Sequence, residues 1–125
     1  MRTLGPLSLL AAFVVTVLLG TLARNWPGPA ELLSGANGWQ TSGLAALTSI
    51  AINNLPAAAL YSAGAVAHPR MLLLGLNVGP NLAVTGALST LLWYRAADQV
   101  SVRPSVLAFT CRGIFLAPVA IAAAF

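Results

Sequence analysis

The chain has 125 residues, of which 58% are hydrophobic and 6% charged, with a mean hydropathy of +0.87. Soluble domains carry about 25% charged residues, so the balance points to a membrane protein. The net charge of +4 comes from six arginines set singly along the chain against Glu31 and Asp98. That pattern argues against nucleic acid as a partner, because phosphate tracking needs a basic patch or stripe. A lone Cys111 rules out an intrachain disulfide and a multi-cysteine metal site.

Residues 4–23 contain no charge. About 20 residues rising 1.5 Å each cross a hydrocarbon core of roughly 30 Å, so this segment is expected to be a transmembrane helix. A signal peptide is the rival reading, with Arg2 before the apolar run and Thr21-Leu22-Ala23 as a small-residue cleavage site, but signal cores run only about 7 to 15 residues. Residues 24–40, RNWPGPAELLSGANGWQ, hold two prolines, three glycines and two tryptophans. This is the composition of an interfacial loop with aromatic anchors.

Residues 41–67 are long enough to cross once, yet INNLP interrupts them. Pro56 has no amide hydrogen and disfavours helix at the residue before it, so two short helices are expected. Residues 71–95 repeat the pattern: MLLLGL, then NVGPN, then LAVTGALSTLLWY, broken at Gly79 and Pro80. Residues 95–104 read as a polar loop and residues 105–125 as a last transmembrane helix with Arg112 inside it. No low-complexity tract or short-period repeat is present.

Irregular backbone is tolerated at bilayer depth only where protein or a watery cavity satisfies its polar groups, so the two breaks are expected to face each other rather than lipid. Helix N-termini after Asn54 and after Pro80 would carry partial positive charge, and the carbonyls ending the preceding half-helices partial negative charge. Asn53, Asn54, Asn77 and Asn81 supply amides, and Thr85, Ser89 and Thr90 supply hydroxyls. Such a site is neutral and polar, suited to a small ion or an uncharged polyol-like solute. The plainer alternative is that proline kinks and asparagines simply hold helices together, as polar residues do in membrane bundles.

The stretches SIAINNLPAAALYSAGA and LLLGLNVGPNLAVTGALSTLLW resemble the C-terminal half of the arsenical pump membrane subunit, the arsenite efflux family within the wider ion transporter superfamily. The likeness covers residues 41–93 and extends to the flanking spans only by hydropathy. It implies an all-α membrane protein of the cell (inner) membrane, multi-pass, built as one repeat of an inverted-repeat transporter with a re-entrant helical hairpin and a broken transmembrane helix. By the resemblance, Asn53, Asn54 and Pro56 form the hairpin tip, and Asn77, Gly79, Pro80, Asn81 and Thr85 form the unwound break. The implied activity is efflux of arsenite or antimonite coupled to an ion gradient, with no cofactor. Sodium/proton or dicarboxylate carriage and a small accessory membrane subunit are the alternatives. Implied partners are a small inorganic solute or ion, membrane lipid, a missing N-terminal half or pairing subunit, a second copy of the chain, and a soluble pump ATPase. A complete carrier of this type has two repeats, so the chain is expected to be a fragment, a truncated product, or a half-sized protein that pairs.

Proton coupling usually shows as a carboxylate or histidine inside the membrane. Glu31, Asp98 and His68 all fall in expected loops, so a titrating group would belong to the missing half. Cys111 reads as inert packing rather than an arsenic ligand. Arg112 reads as snorkelling to the cytoplasmic interface rather than facing a substrate path. No nucleophile, base and orienting group occur together, so an enzyme is not expected. With the N-terminus inside and 41–67 re-entrant, Arg95 and Arg103 join Arg2 on the cytoplasmic side, which agrees with the positive-inside bias; Ala67 to Arg70 then share the external face with Trp39, and Phe125 is external.

Overall fold

The computed structural model describes the backbone of residues 6–124 and the side chains from Leu9 onward, that of Thr85 excepted. Among the described residues the chain is all-helical, with no strand. In order these are α1 (Pro6–Asn25), α2 (Gly28–Ser34), α3 (Gly38–Ile52), α4 (Asn54–Tyr61), α5 (Pro69–Val78), two 3-10 turns (Gly79–Leu82 and Val84–Gly86), α6 (Leu88–Gln99) and α7 (Val106–Ala123).

The helix ends follow local chemistry. A capping box opens α3: Asn37 Oδ1 accepts from the Gln40 amide and Gln40 Oε1 accepts from the Asn37 amide, both at 2.9 Å. Proline starts α5 at Pro69, where its missing amide hydrogen has no helical partner to lose. Ser105 Oγ caps α7 by accepting from the Ala108 amide at 3.2 Å.

Two expectations for the connecting segments are corrected. The stretch 24–40 is not a plain loop, since α2 occupies its middle and fully buries Leu33. Pro29 lies in the first turn of α2, where proline is tolerated. The polar segment after Tyr94 also continues as helix to Gln99, with Arg95 and Asp98 on the exposed surface of α6.

The chain reverses at Asn53. Thr48 Oγ1 and Tyr61 Oη share a hydrogen bond of 2.7 Å although they are 13 residues apart. A continuous helix would separate them by about 20 Å along its axis, beyond the reach of both side chains. Helix α4 therefore runs back along α3, and α1 packs on the other side of α4. Helices α5 and α6 show no such side-by-side packing among the described residues; the chain runs on through the two 3-10 turns between them.

The interior is built from small side chains. Ala45, Ala57, Ala117, Thr41, Ser42 and Ser49 are nearly or fully buried, whereas Phe13, Leu18, Leu32, Leu47, Leu107, Phe115, Leu116 and Val119 are exposed. The surface of 7836 Å² exceeds the roughly 6300 Å² expected of a compact soluble chain of this mass. One described helix, Val106–Ala123, is long and apolar enough by itself to cross a membrane. Leu9–Asn25 and Gly28–Ser34 meet that test together, bent by 69°.

Candidate functional site

Asn53 forms the corner of the α3–α4 hairpin, with φ 76° and ψ 153°. This backbone region is close to glycine-only, so the residue carries strain that the surrounding packing must hold. Its Oδ1 accepts from the Leu55 amide over a long 3.4 Å. Asn54 begins α4, and the buried Pro56 sits in that helix's first turn. Asn53 and Pro56 line a cleft of about 360 Å³ closed by Ala11 and Val15 of α1 and by Leu88, Leu91 and Arg95 of α6.

The second break is longer than a single kink. Helix α5 ends at Val78, and α6 resumes only at Leu88. Ala83 and Ala87 both adopt extended backbone, at φ −146° and −140°, separating the 3-10 turns from each other and from α6. Pro80 therefore opens a 3-10 turn and not the second half-helix. Asn77 lies in the last turn of α5, inside the helix and not in the break. Thr85 belongs to the second turn by its backbone, and its side chain lies outside the described residues.

Helix α3 receives this break on its small-residue face. A Cβ added at Gly79 would lie 2.6 Å from Ala46 Cβ and 3.0 Å from Ser49 Oγ, and one at Gly75 would lie 2.7 Å from Ala45 Cβ. Only glycine permits that approach. The break thus rests one to two helical turns before Asn53 along α3. On its other side it meets α7, where Gly113 packs against the Asn81 carbonyl.

The amide side chains of the two breaks are not gathered into one cluster. Asn77 Nδ2 donates to Leu73 O at 2.7 Å, and Asn81 Nδ2 donates to Val78 O at 3.2 Å. Among the described residues no hydrogen bond joins Asn53 or Asn54 to Asn77 or Asn81. Asn81 lines a separate cavity of about 580 Å³ with Trp93, Tyr94, Phe109 and Arg112. What the two breaks share is contact with α3, not an amide-lined pocket.

The hydroxyls of α3 are not legible as site residues in the sequence. Thr41 Oγ1 and Ser42 Oγ are buried with no hydrogen-bond partner among the described residues, while Ser49 Oγ donates to Ala46 O at 2.7 Å. The readable signal is the run of small residues at helical spacing, Thr41, Ser42, Ala45, Ala46 and Ser49, which marks the α3 face that other helices approach. Arg95 is the other addition, lining the Asn53 cleft, and Arg112, expected from sequence to snorkel, lines the cavity beside Asn81.

The charged groups are sparse. Arg103 and Asp98 form the one ion pair among the described residues, at 3.9 Å and well exposed, and such surface pairs contribute little stability. Cys111 is exposed on α7. No three His, Cys, Asp or Glu side chains gather where they would hold a metal ion, among the described residues.

Compared with protein-family models, with curated proteins and with solved structures, the chain matches none. The geometry by itself defines an all-helical protein with one reversed and one interrupted helix pair seated on a common small-residue helix.

Proposed function

We propose that the chain is a membrane-embedded unit of a secondary transporter, with a solute path past the hairpin corner at Asn53 and the break at 79–86. The observation that carries this reading is that both interruptions involve α3, the first at its C-terminal end and the second seated against Ala46 and Ser49, inside a small-residue interior wrapped by large apolar side chains. Small residues inside and leucines outside suit lipid as the solvent, where helices associate by close packing. Interrupted helices are tolerated there only when buried in protein or lining a cavity. In this reading α3 and α4 are a re-entrant hairpin, α5 and α6 a broken span, and the unit is one repeat completed by a second.

The resemblance to the arsenite efflux family supplies the solute class, trivalent arsenite or antimonite. Arsenite in neutral water is the uncharged trihydroxide, and the neutral amide of Asn53 beside the cleft is a suitable partner for it. The test is accumulation of arsenite in everted membrane vesicles from cells making the chain, with and without an ion gradient. Gradient-dependent accumulation above vesicles lacking the chain is expected. Equal accumulation in both would leave a structural membrane subunit as the better reading.

A further inference from the structure

The cavity of about 580 Å³ raises a question that the transport reading does not answer: why an apolar helix carries Arg112 within it. Gly113 lets α7 touch the backbone at Asn81, and the neighbouring Arg112 is thereby set on the edge of the space between α6 and α7. That space follows α7 from Ser105 to Ala120. Beyond Arg112, Asn81 opposite Gly113 apart, its lining is apolar through Leu116 and Ala120, for about 12 Å of helix rise. One leaflet of a bilayer core is about 15 Å deep, half of the full thickness.

At the other end the groove meets Tyr94, which also lines an adjoining cleft with Arg95 and Arg103. The two spaces together hold three arginines against the single carboxylate of Asp98, which already pairs with Arg103. Helical side chains lean toward the N-terminus, which for Arg112 is the direction of this charged end. Tyr94 fixes the corner, donating from Oη to Ser105 O at 3.2 Å and meeting Phe109 edge-on at 6.0 Å. A positive mouth, an aromatic collar and an apolar channel of leaflet depth occur in that order.

We propose that this groove binds one anionic phospholipid, its phosphate held by Arg112 with Arg95 at the mouth and one acyl chain lying along α7. The inference rests on the membrane reading above. Basic pockets beside membrane helices recognise lipid headgroups through the phosphate charge, with about one kilocalorie-scale increment per arginine, equivalent to roughly a fivefold change in affinity. The apolar channel adds a requirement that no free phosphate meets. The occupant must carry both parts.

The test uses the full chain in neutral detergent, after confirming that it stays with membranes through an alkaline carbonate wash. Phosphatidylglycerol should raise the melting temperature by about 5 °C. Phosphatidylcholine with the same chains, and glycerol phosphate without chains, should each give much less. Arg112→Gln should weaken the phosphatidylglycerol effect about fivefold in half-saturating concentration, while Arg24→Gln, at the end of α1, leaves it intact. To separate lipid binding from any change in folding by Arg112→Gln, Ala120→Trp provides a second variant: it blocks the channel with every arginine in place and should abolish the effect. Equal stabilisation by the two lipids, full stabilisation by glycerol phosphate, or an undiminished effect in Ala120→Trp would each overturn the lipid site while leaving the membrane reading standing. Loss of the wild-type chain in the carbonate wash would overturn both.

Discussion

Thr48 and Tyr61 meet through a 2.7 Å hydrogen bond across the α3–α4 corner, and that one contact fixes the direction of the chain. Tyr61 is buried, so its hydroxyl has little water to fall back on. Tyr61→Phe is expected to lose about 1 kcal/mol of stability. Thr48→Val should lose a similar amount, and the double variant should lose clearly less than the sum, because each single change removes the same bond. Unfolding in mixed detergent reads all three; strict additivity would mean that the two side chains do not pair.

Asn53 separates backbone from side chain. Its φ of 76° favours glycine, so Asn53→Gly should keep or slightly raise stability, whereas Asn53→Ala should lose about 1 kcal/mol. If the amide also contacts solute, Asn53→Gly will fold normally and fail in the vesicle assay. A glycine variant that transports like the parent would reduce Asn53 to a corner residue.

Gly79 tests the seating of the break on α3. A valine there would strike Ala46 and Ser49, both part of a helix that cannot yield locally. Gly79→Val is expected to cost roughly 1–3 kcal/mol and to shift the 3-10 turns away from α3. Unchanged thermal stability would show that the two elements are not in contact.

The buried hydroxyls of Thr41 and Ser42 predict the opposite sign. An unpaired buried hydroxyl is unfavourable, so Ser42→Ala should be neutral or stabilising by up to about 1 kcal/mol. Ser49→Ala, which removes a made bond to Ala46 O, should be mildly destabilising. A large loss of stability in Ser42→Ala would mean that its hydroxyl has a partner after all.

The sequence marked both interruptions through chemistry that cannot be hidden. Pro56 and Pro80 lack the amide hydrogen that a helix interior needs, and each lies within a few residues of an observed break. The residue of reversal was less legible, since a proline constrains the turn before it without naming the corner. The extent of the second break was not legible at all: Ala83 and Ala87 turn extended because of what packs around them, and alanine itself favours helix. Helix α2 was missed because Pro27, Gly28 and Pro29 read as breakers, although prolines in a first turn also start helices. Among the site residues, periodicity could not show that Asn77 and Asn81 would turn their amides onto their own backbone, or that Arg112 would border a cavity.

In the proposed transporter unit α3 and α4 enter and leave the membrane from one face, and impermeant thiol labelling of single cysteines in intact cells tests that topology. On a Cys111→Ser background, cysteines replace Ala36 before α3, His68 after α4, and Gln99 at the end of α6. The account predicts that positions 36 and 68 share one accessibility and that position 99 has the other. Labelling that places positions 36 and 68 on opposite faces would contradict it.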